Sequence, residues 1–164
     1  MEILIPGLIL VALMVYASTR IKRSAAKAFE AETIDNDQFV IKKPEGLLNV
    51  IGGDKRYAFE AYSKEFGHAE ANEWRQATAY VTIGPRPATH KESSVVNKRS
   101  EVRNGVSYKI VESGRTEKEV GFRILSKTAE RNGKLYTLEI TALAENPLDF
   151  MHKLDGMLDS FEVK

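Results

Sequence analysis

The chain of 164 residues has no cysteine, three histidines, one tryptophan and five prolines. Without cysteine there can be no disulfide, no thiolate nucleophile, no cysteine-ligated zinc and no iron–sulfur cluster, although this does not fix the redox compartment. His68, His90 and His152 lack the i, i+4 type of spacing that sets two imidazoles on one face, so no metal site is expected. His68 with Glu70 and Glu73 reads as a solvated acidic loop. Gly52-Gly53-Asp54-Lys55 lacks the spaced glycines and the following Ser or Thr of a phosphate cradle. Ser93, Ser94, Ser107 and Ser160 have no Gly-x-Ser-x-Gly elbow around them. No catalytic residue and no cofactor is nominated, and the chain is not expected to be an enzyme. A composition of 43% hydrophobic and 29% charged residues over one domain's length excludes wholesale disorder, collagen-like repeats and a polytopic membrane protein.

One long uncharged run is present. Residues 3–17 read ILIPGLILVALMVYA, and Ser18 and Thr19 extend the stretch to Arg20. At 1.5 Å per residue this window covers about 25 Å, near the lower limit for a spanning helix, so a transmembrane helix is expected over 1–19. Arg20, Lys22, Arg23 and Lys27 follow at once, and Lys and Arg beside a span are retained in the cytoplasm. The expected placement is single-pass in the cell membrane, amino terminus outside and globular domain cytoplasmic. The alternative is export after cleavage at Ala17, because Val15-Tyr16-Ala17 resembles a small-residue processing site, although Glu2 stands where a basic residue is usual. The same four cations are candidates for anionic lipid headgroups, with topology setting as their plainer role; the membrane is thus one expected partner.

Residues 20–37 read as a basic juxtamembrane helix and linker, the helix formers of 25–32 giving way at 33–37. The globular domain is placed at 38–164. It opens with a strand at 38–42 and a turn at Pro44-Glu45-Gly46, followed by a helical turn at 47–51. Strands are expected within 57–66 and at 77–83, then a polar loop to about Ser93. Trp74 is expected to close the edge of the core, with a partner-facing anchor as the alternative. Between Ser94 and Ala144, two Asn-Gly pairs, Asn104-Gly105 and Asn132-Gly133, each divide β-rich runs, which predicts a four-stranded meander. A three-residue bulged turn at each pair would oppose Ile140 to Ile124, Ala142 to Phe122 and Val106 to Val102, gathering one apolar face. A two-residue turn would instead oppose Ile140 to Leu125. The bulged register is the expected one. The chain closes in a helix with Asn146 as cap, Pro147 at its first position, and Phe150, Met151, Leu154, Met157, Leu158 and Phe161 on one face. The fold class is therefore α+β: an antiparallel sheet packed against a C-terminal helix, preceded by a transmembrane helix.

Charge is segregated along the chain. Residues 86–134 carry twelve Lys or Arg against six Asp or Glu, whereas 28–85 and 135–164 each have a net charge of −4. In the bulged register Arg99, Lys109, Arg123 and Lys127 point away from the face holding Phe122 and Ile140, which nominates them as partner-binding residues. An acidic protein or anionic lipid suits such a patch. Nucleic acid is not expected, because no stacking aromatics are interleaved with the basic residues.

Phe39-Val40-Ile41-Lys42-Lys43-Pro44-Glu45-Gly46, followed by Gly133-Lys134-Leu135-Tyr136-Thr137-Leu138 and the closing Met157-Leu158-Asp159-Ser160-Phe161, resembles the PsbP-like family over residues 38–164. That family includes an extrinsic photosystem subunit, bacterial lipoproteins and a Ran-binding nuclear import factor. The resemblance implies an α+β domain with an antiparallel sheet and a binding or assembly role without catalysis. With the anchor, this gives the expected function: a membrane-anchored, non-enzymatic interaction or assembly module with a protein partner. The alternative is a small-ligand or lipid sensor, its ligand held between sheet and closing helix.

Overall fold

A computed structural model describes residues 4–84 and 94–164. The expected 84–93 loop, with His90 and Ser93, lies outside the described residues apart from Gly84. Helix α1 (Leu4–Ala28) leads into β1 (Glu32–Asp35), β2 (Phe39–Lys43), β3 (Leu47–Asn49), β4 (Phe59–Ser63) and β5 (Ala77–Gly84). Then come β6 (Ser94–Arg103), β7 (Val106–Glu117), β8 (Val120–Arg131), β9 (Lys134–Leu143), α2 (Leu148–Ser160) and β10 (Glu162–Val163). Seven strands form one antiparallel sheet in the order β3-β4-β5-β9-β8-β7-β6, and β1-β2-β10 form a smaller one.

The transmembrane expectation is overturned. Among the described residues no helix is long and apolar enough to cross a membrane. In α1 the uncharged stretch from Leu4 to Thr19 rises about 24 Å, short of a hydrocarbon core of about 30 Å. Arg20, Lys22 and Arg23 then occupy the next turn of the same helix. The single-pass placement, amino terminus outside and domain in the cytoplasm, falls with the span. Ala17 and Ser18, the proposed cleavage point, sit inside the continuous helix.

The expected linker also differs. Glu32 to Asp35 pairs with Lys43 to Val40, so a polar segment becomes a strand because β2 offers it a free edge. Residues 47–49 are a strand on β4 and not a helical turn. Asn146 is not the helix cap: Pro147 holds that position, and the Asn146 amide donates to the Gln76 carbonyl at 2.7 Å.

The meander is present, but with two-residue turns. Arg103 opposes Val106 and Arg131 opposes Lys134. Asn104 (φ 53°), Gly105 (75°), Asn132 (53°) and Gly133 (70°) are all left-handed, the geometry of type I′ turns, whose twist matches that of the flanking strands. Ile140 therefore opposes Leu125, and Ala142 opposes Arg123. The bulged register fails because β8 changes buried face midway. Val120, Phe122 and Ile124 are buried, and then Leu125, Lys127 and Ala129, with no break in pairing. Alternating side chains point to opposite faces, so the two ends of β8 serve two different cores. Leu125 and Ala129 join the main core with Leu138, Ile140 and the α2 residues Met151, Leu154, Met157 and Leu158. Val120, Phe122 and Leu143 form a second cluster on the other face, capped by Ala71 and Trp74. Trp74 does close a core edge, its ring standing on Phe122 at 5.1 Å in a T-shaped pair.

Candidate functional site

Register and alternation sort every strand residue of the large sheet to one of two faces. One face carries Ile110, Leu125, Leu138 and Ile140 and is covered by α2, which packs against β2, β8 and β9. This covered face also takes Arg99, Glu101 and Arg103 of β6, Glu112 of β7, and Arg123 and Lys127 of β8. Three of the four nominated cations therefore stand on the covered face, Arg99 at its exposed rim, which corrects their expected orientation: Phe122 and Ile140 lie on opposite faces, and no strand side can avoid both.

Beneath α2 these charges close on one another. Lys127, with no exposed surface, puts Nζ 2.8 Å from Glu101 Oε1, an ion contact off the hydrogen-bond direction. The same Nζ donates to the Asp159 carbonyl at 3.2 Å and lies 4.6 Å from the centre of the Tyr108 ring. The Lys127 contact, opposed by desolvation and aided by the charges of Lys127, Arg103 and Arg99, holds the Glu101 carboxyl below the usual range. Arg123 reaches Glu112 at 2.6 Å and Asp155 at 3.0 Å. Burial works against its charge, but those carboxylates outweigh it and raise its pKa. Arg99 meets Asp159 at 3.1 Å, and Arg103 meets Glu162 at 3.1 Å. The ion pairs leave a charged cleft of about 240 Å³, floored by Ile110, Leu125 and Leu158, between α2 and strands β6–β8.

The opposite face is built differently. Thr78, Thr82, Thr128, Thr137 and Thr141 form a hydroxyl field across β5, β9 and β8, with Thr128 and Thr137 oxygens 3.3 Å apart. Towards the β6 edge it continues as Lys98, Ser100, Val102, Ser107 and Lys109, all exposed. Lys109, the fourth nominated cation, belongs here, and so does Lys98, which pairs with Val111 where the bulged register would set it opposite the buried Ile110. Neither lysine has a carboxylate partner among the described residues. The segment carrying Ala71 and Trp74 caps this face at one end, α2 does not pack on it, and among the described residues β6 leaves its outer backbone edge unpaired. Val95, Val96 and Val102, at 51%, 71% and 74% exposure, add apolar area along that edge.

The other nominated cations, Arg20, Lys22, Arg23 and Lys27, are exposed on α1, with Arg20, Arg23 and Lys27 spaced along one side of the helix. No local pattern marks Lys43 as a structural residue. It is 1% exposed, with Nζ donating to the carbonyls of Leu47 (2.7 Å) and Glu30, so it ties the chain leaving α1 to the β2–β3 turn. Desolvation lowers its pKa, opposed by Glu32. Backbone carbonyls satisfy this ammonium. Among the described residues no group of three metal-ligating side chains comes together.

No family model and no curated protein matches the chain. Among solved structures, the cyanobacterial PsbP protein CyanoP from Synechocystis sp. PCC 6803 is similar at a TM-score of 0.58 and 15% identity. The match covers 83% of this chain and 94% of that one. A protein from Bacteroides thetaiotaomicron aligns at a TM-score of 0.46 and 8% identity, over 77% of this chain and 45% of that one. The match to CyanoP shows the fold: an antiparallel sheet closed by a C-terminal helix, as the resemblance implied, is PsbP-like.

Proposed function

We propose that this chain is a non-enzymatic interaction or assembly module that docks a protein partner on the uncovered face of its large sheet. One observation carries the reading: α2 covers one face only, while the other presents Lys98 and Lys109, which among the described residues have no carboxylate partner, beside an edge of β6 that no described strand pairs. A stable interface needs a surface that is already ordered, and a sheet fixed by two cores supplies one at little conformational cost. The partner surface is acidic, because opposite charge steers encounter and sets register. Arg99, Arg123 and Lys127 contribute indirectly, by locking α2 to the covered face. The PsbP-like fold supports a role in accessory or assembly functions. Reversing both lysines, Lys98→Glu with Lys109→Glu, should abolish co-purification of the partner at low salt. Undiminished co-purification by a folded double variant would contradict the reading.

A second reading is favoured by the cleft beneath α2, which is the place for a small ligand held between sheet and helix. A ligand that binds only the folded state raises its melting temperature, so a metabolite screen by thermal shift tests it. At the other end of the molecule, Arg20, Lys22, Arg23 and Lys27 are proposed to meet anionic headgroups at a lipid surface. Salt-sensitive cosedimentation with phosphatidylserine vesicles, lost when the four are neutralised, is the expected result.

A further inference from the structure

At the end of the sheet remote from the charged cleft, a second cavity of about 460 Å³ opens between the loop before β4, the last residues of β5 and the turn into β9. Its walls bring together Lys55 and Arg56 from the loop and Lys134 from the start of β9, segments more than 75 residues apart in sequence. Among the described residues no acidic side chain lines it. Arg56 shares its charge with Asp54, its Nε 2.8 Å from the carboxylate, but Lys55 and Lys134 have no carboxylate partner among the described residues. The remaining wall is Gln38 together with Ala58, two glycines and the apolar surfaces of Tyr57 and Ile83. Tyr57 is steadied by Tyr80, their ring centres 4.4 Å apart, and Ile83 lies beside it. At Gly133 the chain turns with φ of +70°, and no atom lies within 4 Å of where a Cβ would stand, so the backbone leaves the mouth open beside Lys134.

We propose that this cavity binds a small organic phosphate, its phosphate group between Lys55, Arg56 and Lys134 and its ring against Tyr57 and Ile83. Each element of the site calls for a part of that ligand. Two ammonium groups on one cavity wall, without a carboxylate partner among the described residues, favour a dianion over a neutral or cationic guest, because each adds attraction for an anion. The apolar wall gives a ring-bearing anion an advantage over a bare one, since burial of apolar surface adds to the charge contact. The volume lies within the range of about 300–1,000 Å³ usual for small-molecule sites. The site is independent of the protein-docking face, which lies on other residues, so either assignment can fail without the other.

The test is calorimetric titration of the full chain with phenyl phosphate and, separately, with inorganic phosphate. Phenyl phosphate should bind with a millimolar Kd and inorganic phosphate more weakly. Lys55→Gln with Lys134→Gln should weaken phenyl phosphate by about tenfold, the sum of two exposed charge contacts. Lys153→Gln, on the outer side of α2, should leave it unchanged. Circular dichroism and the melting curve establish that the double variant is folded. The proposal is overturned by any of three results: no heat from phenyl phosphate up to about 10 mM, a folded double variant that binds like the parent, or inorganic phosphate binding as tightly as the ring-bearing ester.

Discussion

Lys127 and Glu101 reach each other across the intervening strand β7, their charged atoms 2.8 Å apart, with the lysine wholly enclosed beneath α2. The pair joins the β6 edge to the middle of the sheet, and the Lys127 bond to the Asp159 carbonyl carries the connection on to the end of α2. A buried charge is tolerated when paired and hydrogen-bonded, and Lys127 meets both conditions, through Glu101 and the Asp159 carbonyl respectively.

Removing one member should therefore cost more than removing both. Lys127→Met is expected to lose about 1–3 kcal/mol, because Glu101 is left partly buried without its counter-ion. The double variant Glu101→Leu with Lys127→Met should recover much of the loss, since a buried pair exchanged for apolar side chains is often neutral. Urea unfolding of the three chains measures it, and a double variant no better than the single would contradict the assignment.

The same pair sets an acid limb. The Glu101 pKa is depressed by Lys127, so its stabilisation is fully present above the unfolded value of about 4.3 and is lost as pH falls through the lower folded value. Stability measured from pH 6 down to 2 should fall less steeply in Glu101→Gln than in the parent. Identical slopes would remove Glu101 from the acid response.

The hairpin turns predict a backbone effect. Gly133 at φ +70° has free space around it, so the penalty of a side chain there is conformational and not steric against neighbours. Gly133→Val should cost roughly 1–2 kcal/mol, the price of a left-handed conformation for an L-residue. The same nuclear magnetic resonance sample should show cross-strand contacts between Leu125 and Ile140; contacts from Ile124 to Ile140 would restore the bulged register.

How far the sequence could be read depends on how local each cause is. The closing helix, β2, β5 and both Asn-Gly turns rest on periodicity and turn chemistry within a few residues, and these were legible. β1 was not, because Glu32 to Asp35 has no strand pattern of its own and pairs only since β2 offers an edge. Register was misread for a related reason. The bulged register gives β8 a single apolar face, but Phe122 and Leu125 belong to cores on opposite sides of the sheet. That error carried over to the site, because Lys127 is an inward residue whose partner, Glu101, lies 26 positions away. The Lys118-Glu119 turn, with both residues left-handed and no glycine, shows tertiary pairing overriding turn propensity.

Leu154 reports whether α2 is part of the core. It is wholly buried against the covered face, so Leu154→Ala should cost about 2–5 kcal/mol in denaturant unfolding. A loss under about 1 kcal/mol would make the helix peripheral and the covered face an open one.

The central claim, that a protein partner docks on the uncovered face, is tested most directly by site-specific photo-crosslinking in the source cells. A photoreactive residue is placed at Ser100 or Lys109 on that face, and at His152 or Lys153 on the outer side of α2, all four exposed. The account predicts one and the same protein, identified by mass spectrometry, joined at both sheet positions and at neither helix position, with the adduct fading as salt is raised. Adducts formed from α2 and absent from Ser100 and Lys109 would contradict it.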